Sequence, residues 1–337
     1  MILRLAIVCL VAALIGSSAL RAQEAPKPKP TIAELWETGC LWEVGENKDK
    51  VTQARKDLVA AGQEAINYAL TRLGATDTLE TRCLSTVFAG WKLDPKLADK
   101  AFEGLIGNVG HAEATFRRNA ADLLDQIDDK RAAPALLSQA QAETQEGVRV
   151  AQLAPLSRWQ NVEALPLLVA ASSTKIERIR ARCAVLLANY EQAAAVERLI
   201  AMLNDPTYYV ADAAQAALTT AAPGARRLCL TQLQSELELP VTKQRTGLLR
   251  RLLAVVATLA EKDTPTLILR ALKHENAGVR GDAADALATW KLGAGKLDDT
   301  PDVAAQLQQA LKTETDPFAK AALTRAAERL TQTGKNG

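Results

Sequence analysis

Apolar and polar positions alternate along most of the chain with the period of an amphipathic helix. Val196, Leu199, Ile200 and Leu203 fall on one face of such a helix. A second kind of segment has, in order, an apolar residue, Arg, two variable residues, and two small or apolar residues. A Leu follows four positions after the first of these two small or apolar residues. The clearest copies are AGVRGDAADALATW (277–290), TFRRNAADLLDQI (115–127), GVRVAQLAPLSRW (147–159), RIRARCAVLLANY (178–190) and YVADAAQAALTTA (209–221).

These copies form a repeat. Aligned on the Arg position, eight anchors follow at intervals of 36, 32, 31, 31, 34, 35 and 39 residues: Thr81, Arg117, Arg149, Arg180, Ala211, Arg245, Arg280 and Ala319. Self-similarity at this period is typical of a solenoid. Each copy follows another amphipathic run, such as AVERLIAMLN (195–204), so every unit is predicted to be helix, turn, helix. Because one hairpin cannot bury its apolar stripe alone, we expect an all-α solenoid of about eight stacked hairpins over residues 62–334.

The N-terminal residues lie outside the repeat. Residues 1–22 have a basic Arg4, an apolar stretch and small residues, which is typical of a secretory signal cleaved after Ala19 or Ala22. A retained membrane anchor is the alternative. Residues 23–31 predict a flexible linker, and residues 32–61 predict one or two helices that cap the first hairpin. A periplasmic or secreted protein is expected.

The repeat resembles a known family at its turns and second helices. The residues that carry this resemblance are Asp205-Pro206 before Tyr209-Val210, Asp316-Pro317 before Phe318, and Val279-Arg280 before Ala283-Ala284 and Leu287. They are similar to the HEAT repeat over roughly residues 62–331, and the short period is most similar to its bacterial, phycobilin-lyase-like subtype. The resemblance implies an armadillo-like superhelix, in which the repeated Arg pairs with an acid in the preceding turn.

Five of the eight anchors are arginines, and their role has two interpretations. In the first, each guanidinium binds carboxylates and turn carbonyls of neighbouring units; in the second, a basic ladder grips an anionic partner. Acids close to the anchors favour the structural interpretation: Glu113, Glu146, Glu177 and Glu275. The predicted structural ladder comprises Arg117, Arg149, Arg180, Arg245 and Arg280.

Large aromatic residues recur ten positions after the anchors, at Trp91, Trp159, Tyr190 and Trp290. A large side chain at a helix end fills the gap to the next unit and buries much area, so we expect these residues in the core. The alternative is an aromatic stripe that stacks on sugars.

Charge and cysteine content narrow the partner classes. Removal of residues 1–22 leaves 39 basic and 39 acidic residues, so the basic excess typical of nucleic-acid binding is absent. The later cysteines form no CxxC pair, and Cys183 and Cys229 are predicted to be small buried residues. A disulfide between Cys40 and Cys83 would tie the cap to the first unit and add roughly 4 kcal/mol on the chain-entropy model. Two free thiols are the alternative.

The sequence offers no catalytic constellation. His111 and His274 stand in separate turns, and HExxH, GxSxG and zinc-ligand spacings are missing, so we predict neither an enzyme nor a bound cofactor or metal. The favoured function is a binding scaffold that recognises a protein or peptide on the concave face of the second helices. Candidate contact residues are Arg118, Asp122, Arg250, Asp282 and Asp285. The alternatives are a bilin-lyase-like enzyme and a carbohydrate- or envelope-binding module with exposed Trp residues.

Overall fold

A computed structural model describes residues 29–221, 223–259, 263–294 and 302–333. The predicted signal peptide and most of the predicted linker lie outside the described residues. The described residues form eighteen α-helices and no strand. In chain order, the helices pair into nine hairpins: α1 (Ile32–Gly39) with α2 (Asn47–Ala60), α3 (Gln63–Thr71) with α4 (Thr78–Trp91), α5 (Pro95–Asn108) with α6 (Ala114–Ile127), α7 (Ala133–Ala142) with α8 (Glu146–Arg158), α9 (Leu165–Ala171) with α10 (Glu177–Leu187), α11 (Ala193–Met202) with α12 (Tyr208–Thr220), α13 (Pro223–Glu238) with α14 (Thr246–Val256), α15 (Thr264–Ala271) with α16 (Ala277–Ala294), and α17 (Val303–Thr313) with α18 (Pro317–Thr333).

Side chains at the helix starts explain where several helices begin. Thr31 and Glu34 form a capping box at α1, in which each side chain accepts the backbone N–H of the other residue (3.2 and 2.8 Å). Asp77 and Asp94 cap α4 and α5 through their carboxylates. Pro95 follows Asp94 in the first turn of α5, where its missing N–H costs no hydrogen bond. Local sequence therefore fixes these turns before any packing between hairpins.

The hairpins stack in two layers, as expected of an α-solenoid. The even-numbered helices, which we call the second helices, pack against one another along the whole stack. The odd-numbered helices contact their neighbours less extensively, so the second helices form the more closely packed of the two layers. A continuous core of mostly Leu, Ala and Val lies between the layers. Within the layer of second helices, α8 is enclosed on every side after its first turn, since each residue from Val150 to Ser157 is buried.

The N-terminal hairpin continues the same stack. Helix α1 packs on α3 and α2 packs on α4, so residues 32–60 place two helices over the first repeat hairpin. Trp36 is buried in this contact, and its Nε1 donates to Glu80 of α4 (3.1 Å).

Two hairpins are shifted from the sequence alignment. In most second helices the anchor is the fourth residue, as Arg180 is in α10, but α14 begins at Thr246 and its fourth residue is Leu249. Arg245 is instead the N-cap residue of α14, and it binds Glu236 of the same hairpin (Nη2–Oε2 2.6 Å). The alignment on Arg245 was wrong by one helical turn.

The last hairpin shows a smaller shift. Helix α18 begins at Pro317, so its fourth residue is Lys320 and not Ala319. The loop before α18 also contributes the acid Glu314, six residues before Lys320. This spacing recurs between turn acids and second helices elsewhere in the stack.

Candidate functional site

The fourth residue of a second helix links neighbouring hairpins. In α10, Arg180 donates through Nη1 to the backbone oxygens of Thr174 and Lys175 in its own turn (3.1 and 3.2 Å). Its Nε and Nη2 donate to both carboxylate oxygens of Asp205 in the turn of the next hairpin (2.7 and 2.9 Å). The same arrangement joins Arg117 to Glu143 and Arg280 to Glu314. We call these three arginine–carboxylate links the interhairpin staples.

The staple carboxylates also accept backbone N–H groups in the turns that precede the second helices. Asp205 accepts the N–H of Thr207 (2.9 Å), and Glu314 accepts the N–H groups of the next two residues (3.0 and 2.9 Å). The hydrogen bonds from Arg280 lower the pKa of Glu314 to about 2. Burial acts to raise the pKa of Asp205, but the hydrogen bonds from Arg180 and Thr207 outweigh it and hold that pKa below its ordinary value. The carboxylates are therefore ionised at neutral pH.

The acid partners differ from those that the sequence suggested. The staple carboxylates come from the next hairpin, six residues before the fourth position of its second helix. The suggested acids stand in the hairpin of the arginine itself, and none of them binds its guanidinium through a carboxylate: Glu113, Glu146, Glu177 and Glu275. Each arginine–carboxylate pair joins two units, so it cannot be recognised in the sequence of one unit alone.

Arg149 occupies a staple position without a complete staple. Its Nη2 donates to the backbone oxygen of Glu143 in its own turn. The next hairpin has Thr174 where the other stapled hairpins have a carboxylate, and Arg149 Nε is buried without a hydrogen-bond partner. The hydroxyl of Thr174 donates instead to Glu146. The junction between the third and fourth repeat hairpins therefore lacks the charged pair.

The two histidines stand at the turn position that a staple carboxylate occupies elsewhere. Nδ1 of His111 accepts the N–H of Glu113 (3.1 Å), and Nδ1 of His274 accepts that of Asn276 (2.9 Å). Burial lowers the pKa of His274, which favours the neutral ring. The preceding second helices carry Thr81 and Leu249 at the fourth position, so no arginine needs an acid there. Both histidines act as turn caps.

The aromatic residues at the ends of the second helices lie largely in the core. Trp91 and Trp290 are fully buried, and Trp91 Nε1 donates to the backbone oxygen of Val59 (3.2 Å). Tyr190 is 3% exposed. Trp159 is half-buried, and its Nε1 donates to Asp128 (2.7 Å). These four residues do not form an exposed stripe, so they offer no platform for stacking on sugars.

A first groove crosses the second helices in the C-terminal half of the stack and has a volume of about 500 Å³. Small residues of α14 and α16 form its floor, while Arg250 and Asp282 bind each other across the two helices (Nε–Oδ2 2.6 Å). Arg251 binds Asp212 of α12 (2.6 Å). The groove is lined by Gln215, Gly247, Arg250, Arg251, Ala254, Ala257, Asp282, Asp285, Ala286 and Thr289.

A second groove of about 510 Å³ lies in the N-terminal half of the same face. Asp122 of α6 lies between Arg118 of its own helix (3.7 Å) and Arg182 of α10 (3.9 Å). Arg182 and Asp122 thus meet over the enclosed helix α8. Burial raises the pKa of Asp122, with both arginines opposing the shift. The lining residues are Ala75, Thr76, Thr81, Ala114, Thr115, Arg118, Asn119, Asp122, Gln145, Gly147 and Val148.

These two grooves contain the five residues that the sequence analysis proposed as contacts. Arg118 and Asp122 line the N-terminal groove, and Arg250, Asp282 and Asp285 line the C-terminal groove. Their role in binding stays a prediction. Sequence reasoning missed Arg182, Asp212 and Arg251, because their importance comes from pairs formed between helices that are 30 or more residues apart in the chain.

The described residues contain no cluster of three or more His, Cys, Asp or Glu side chains that fits a metal ion. All four described cysteines are thiols, and burial raises the pKa of both Cys183 and Cys229 to about 12. Within the described ranges, no helix has the length and apolar character needed to cross a bilayer.

Comparison with solved structures identifies the same architecture. The chain is similar to Kap121p bound to RanGTP (TM-score 0.59, 12% identity, 88% of this chain and 36% of that one). It is also similar to Kap95p in complex with RanGDP (TM-score 0.57, 14% identity, 89% and 43%). A weaker likeness is to YibA of Escherichia coli (TM-score 0.47, 17% identity, 78% and 93%).

The two karyopherins are HEAT-repeat proteins, and the likeness to them establishes a HEAT-like helical solenoid. The chain spans less than half the length of either karyopherin. No model of a protein family matches the sequence, and no curated protein matches it.

Proposed function

We propose that this protein is an exported binding scaffold that recognises a protein or peptide on the exposed face of its second helices. The observation that carries the proposal is the pair of open, charged grooves on that face, each with small residues among its lining. Alanine and glycine let a bound backbone approach closely, and the charged residues around them select its side chains. Neighbouring hairpins add their contacts along such a face.

The groove charges favour a partner of mixed charge. Arg250 and Asp282 are partly exposed and bind each other in the free protein, as do Arg325 and Asp285 (3.2 Å). Exposed pairs of this kind contribute only about 0–1 kcal/mol each, so a partner with complementary acidic and basic side chains exchanges them at small cost. Kap121p and Kap95p, which share the fold, are bound to Ran, and this supports protein binding as the use of the face.

The exported location rests on the N-terminal sequence. Arg4, the apolar stretch of residues 5–15 and the small residues before Ala22 fit a signal peptide, and the Pro- and Lys-containing linker 23–31 fits a tether to the solenoid. The repeat period of 31–32 residues in the central units supports the short-period bacterial subtype of HEAT protein. N-terminal sequencing of protein from the producing cells should begin at Leu20 or Gln23, whereas an intact Met1 would contradict export by this signal.

Site-specific photo-crosslinking tests the binding face. A benzophenone amino acid replaces Gln215, which lines the C-terminal groove, or Glu197, which is exposed on α11 in the layer of odd-numbered helices. After irradiation in extracts of the producing cells, we expect a discrete crosslinked protein from position 215 and none from position 197. Equal crosslinking from both positions would contradict a specific binding face on the second helices.

Charge exchange provides the matched control. Arg250→Asp and Asp282→Arg singly place like charges opposite each other, and each should weaken the crosslink at position 215 at least tenfold. The double exchange restores an ion pair with reversed polarity. If the partner contacts these charges, the crosslink of the double variant should remain weak although its fold is intact by circular dichroism. Full recovery in the double variant would show that the pair only maintains the groove.

A further inference from the structure

Two thiols meet where the N-terminal hairpin joins the first repeat hairpin. Cys40 ends α1 and Cys83 lies in α4, close enough for the two thiols to shift each other's pKa. Cys83 is completely buried, while Cys40 is partly exposed to solvent. The backbone at the end of α1 also packs closely on Cys83, since a Cβ atom on Gly39 would lie 3.1 Å from Cys83 Sγ. The end of α1 therefore rests directly on the Cys83 sulfur.

A buried arginine stands beside this pair. Nε of Arg55 donates to the backbone oxygen of Gly39 (2.9 Å), and Nη1 binds Glu43 in the loop after α1 (2.8 Å). The guanidinium also lies beside the sulfur of Cys83, and its Nη2 has no oxygen acceptor. A fixed positive charge next to a thiol favours the thiolate, which is the form that attacks disulfides.

The contact between the thiols and the positive charge of Arg55 shift the pKa values of Cys40 and Cys83 in opposite directions. The contact with Cys40, assisted by Arg55, lowers the pKa of Cys83 against the opposing effects of burial and of Glu80. The same contact raises the pKa of Cys40. The pKa of Cys83 thus lies below that of Cys40, and Cys40 is the thiol that solvent reaches.

We propose that Cys40 and Cys83 are a redox pair that a disulfide oxidant converts into an intramolecular disulfide, which fastens the N-terminal hairpin to the first repeat hairpin. In the first step, Cys40 loses its proton to water, its sulfur attacks the oxidant disulfide, and one oxidant sulfur leaves as a thiolate. Cys83 then releases its proton to water, attacks Cys40 Sγ and expels the second oxidant thiolate. Two protein thiols are oxidised to one disulfide, and the oxidant disulfide is reduced to two thiols.

The consequence is local to the end of the stack. Terminal hairpins of a solenoid have a neighbour on one side only, so they open more readily than internal hairpins. A covalent link across the first junction removes chain entropy from the opened state, which on the chain-entropy model corresponds to about a thousandfold shift in the equilibrium. Oxidation should therefore suppress the opening of α2 and leave distant helices unaffected. The inference is independent of the proposed binding function.

Redox equilibration with glutathione tests the proposal on the full chain. The reduced protein is incubated at defined ratios of reduced to oxidised glutathione, quenched in acid, alkylated with N-ethylmaleimide after unfolding, and mapped by mass spectrometry. We expect the peptides that contain Cys40 and Cys83 to be joined at ratios where Cys183 and Cys229 are still alkylated. Hydrogen exchange of residues 47–60 should slow at least tenfold on oxidation, with no change in residues 246–256.

Matched variants separate the pair from a general response to oxidant. Cys40→Ser should leave Cys83 alkylated and make hydrogen exchange of α2 the same under both conditions, whereas Cys229→Ser should keep the link and the tenfold protection. A glutathione adduct that persists on Cys40 while Cys83 remains alkylated would overturn the pairing. A joined peptide without slower exchange in α2 would overturn the stabilising role.

Discussion

Arg117, Arg180 and Arg280 each hold a carboxylate of the next hairpin at two oxygens. Such bidentate pairs fix geometry as well as charge, because the planar guanidinium matches the carboxylate. Each guanidinium also satisfies backbone oxygens of its own turn, so one side chain joins two turns. The staples thus convert a local turn conformation into a fixed spacing between hairpins.

Removal of one staple should weaken the stack measurably. In Arg180→Ala, the carboxylate of Asp205, whose side chain is 8% exposed, loses its partner while it remains buried. Loss of one partner from a buried pair costs about 3–5 kcal/mol, and we expect about 3 kcal/mol in urea unfolding. The control is Arg325→Ala, which breaks the exposed pair with Asp285 and should cost less than about 1 kcal/mol. Similar losses in both variants would contradict the role of burial.

The last staple should give the protein a specific acid sensitivity. The pKa of Glu314 is about 2 in the folded chain, below the ordinary value of 4.5, because Arg280 binds its charged form. A depressed acid pKa contributes stability that is complete above about pH 4.5 and is lost as the pH falls towards 2. The free energy of unfolding of the wild type should therefore exceed that of Glu314→Gln at pH 6, and the gap should close by pH 2. A constant gap over this range would contradict the ion pair.

At the scale of the helix, small residues set how closely neighbouring hairpins approach. Gly90 of α4 faces Val59 of α2, and a Cβ atom there would stand 2.5 Å from Val59 Cγ2. Val59 is β-branched and restricted at χ1, so it has little freedom to move aside. Gly107 holds the corresponding next-to-last place in α5, where a Cβ atom would meet nothing within 4 Å. The two glycines hold the same position in their helices, but the space for a side chain is filled at Gly90 and open at Gly107.

This contrast predicts opposite effects of one substitution. Gly107→Ala should stabilise the protein by up to about 1 kcal/mol, because alanine has the higher helix propensity and the site is open. Gly90→Ala gains the same propensity but forces α2 and α4 apart, and overpacking of this kind costs typically about 1–3 kcal/mol. Thermal unfolding of the two variants decides the matter. An equal gain at both positions would mean that α2 does not rest on α4 as described.

The helices could be predicted from the sequence wherever the repeat pattern was intact. The periodic apolar positions identified α6, α10 and α16, and the fold followed from their recurrence. In α14 an arginine four residues before the fourth position imitated the pattern, and only the start of the helix at Thr246 reveals the true alignment. The groove residues were predictable as exposed positions on second helices. Their pairing was not, because it depends on distances between units.

At most junctions of the described stack, a staple arginine and its acid are either both present or both absent. Second helices with Arg117, Arg180 and Arg280 precede turns with Glu143, Asp205 and Glu314. Second helices with Thr81 and Leu249 precede turns with His111 and His274. Since each solenoid unit contacts only its neighbours, stability is close to a sum of such junctions. Within the described hairpins, the junction of Arg149 with Thr174 is the one that has the arginine without the acid.

Completion of this junction should stabilise the whole molecule. Thr174→Asp places a carboxylate where Asp205 stands in the next turn, within the same environment of turn amides and opposite the unpartnered Nε of Arg149. Glu146 is changed to Gln in the same chain, because its carboxylate lies against residue 174. Charge-assisted hydrogen bonds contribute about 1.5–3 kcal/mol, and we expect a net gain of about 1–2 kcal/mol over Glu146→Gln alone in urea unfolding. The gain must vanish when Arg149→Ala is added, since the new aspartate then has no guanidinium to bind. A gain that survives Arg149→Ala would show that the aspartate acts only as a cap of α10 and that the junctions are not stapled by charge.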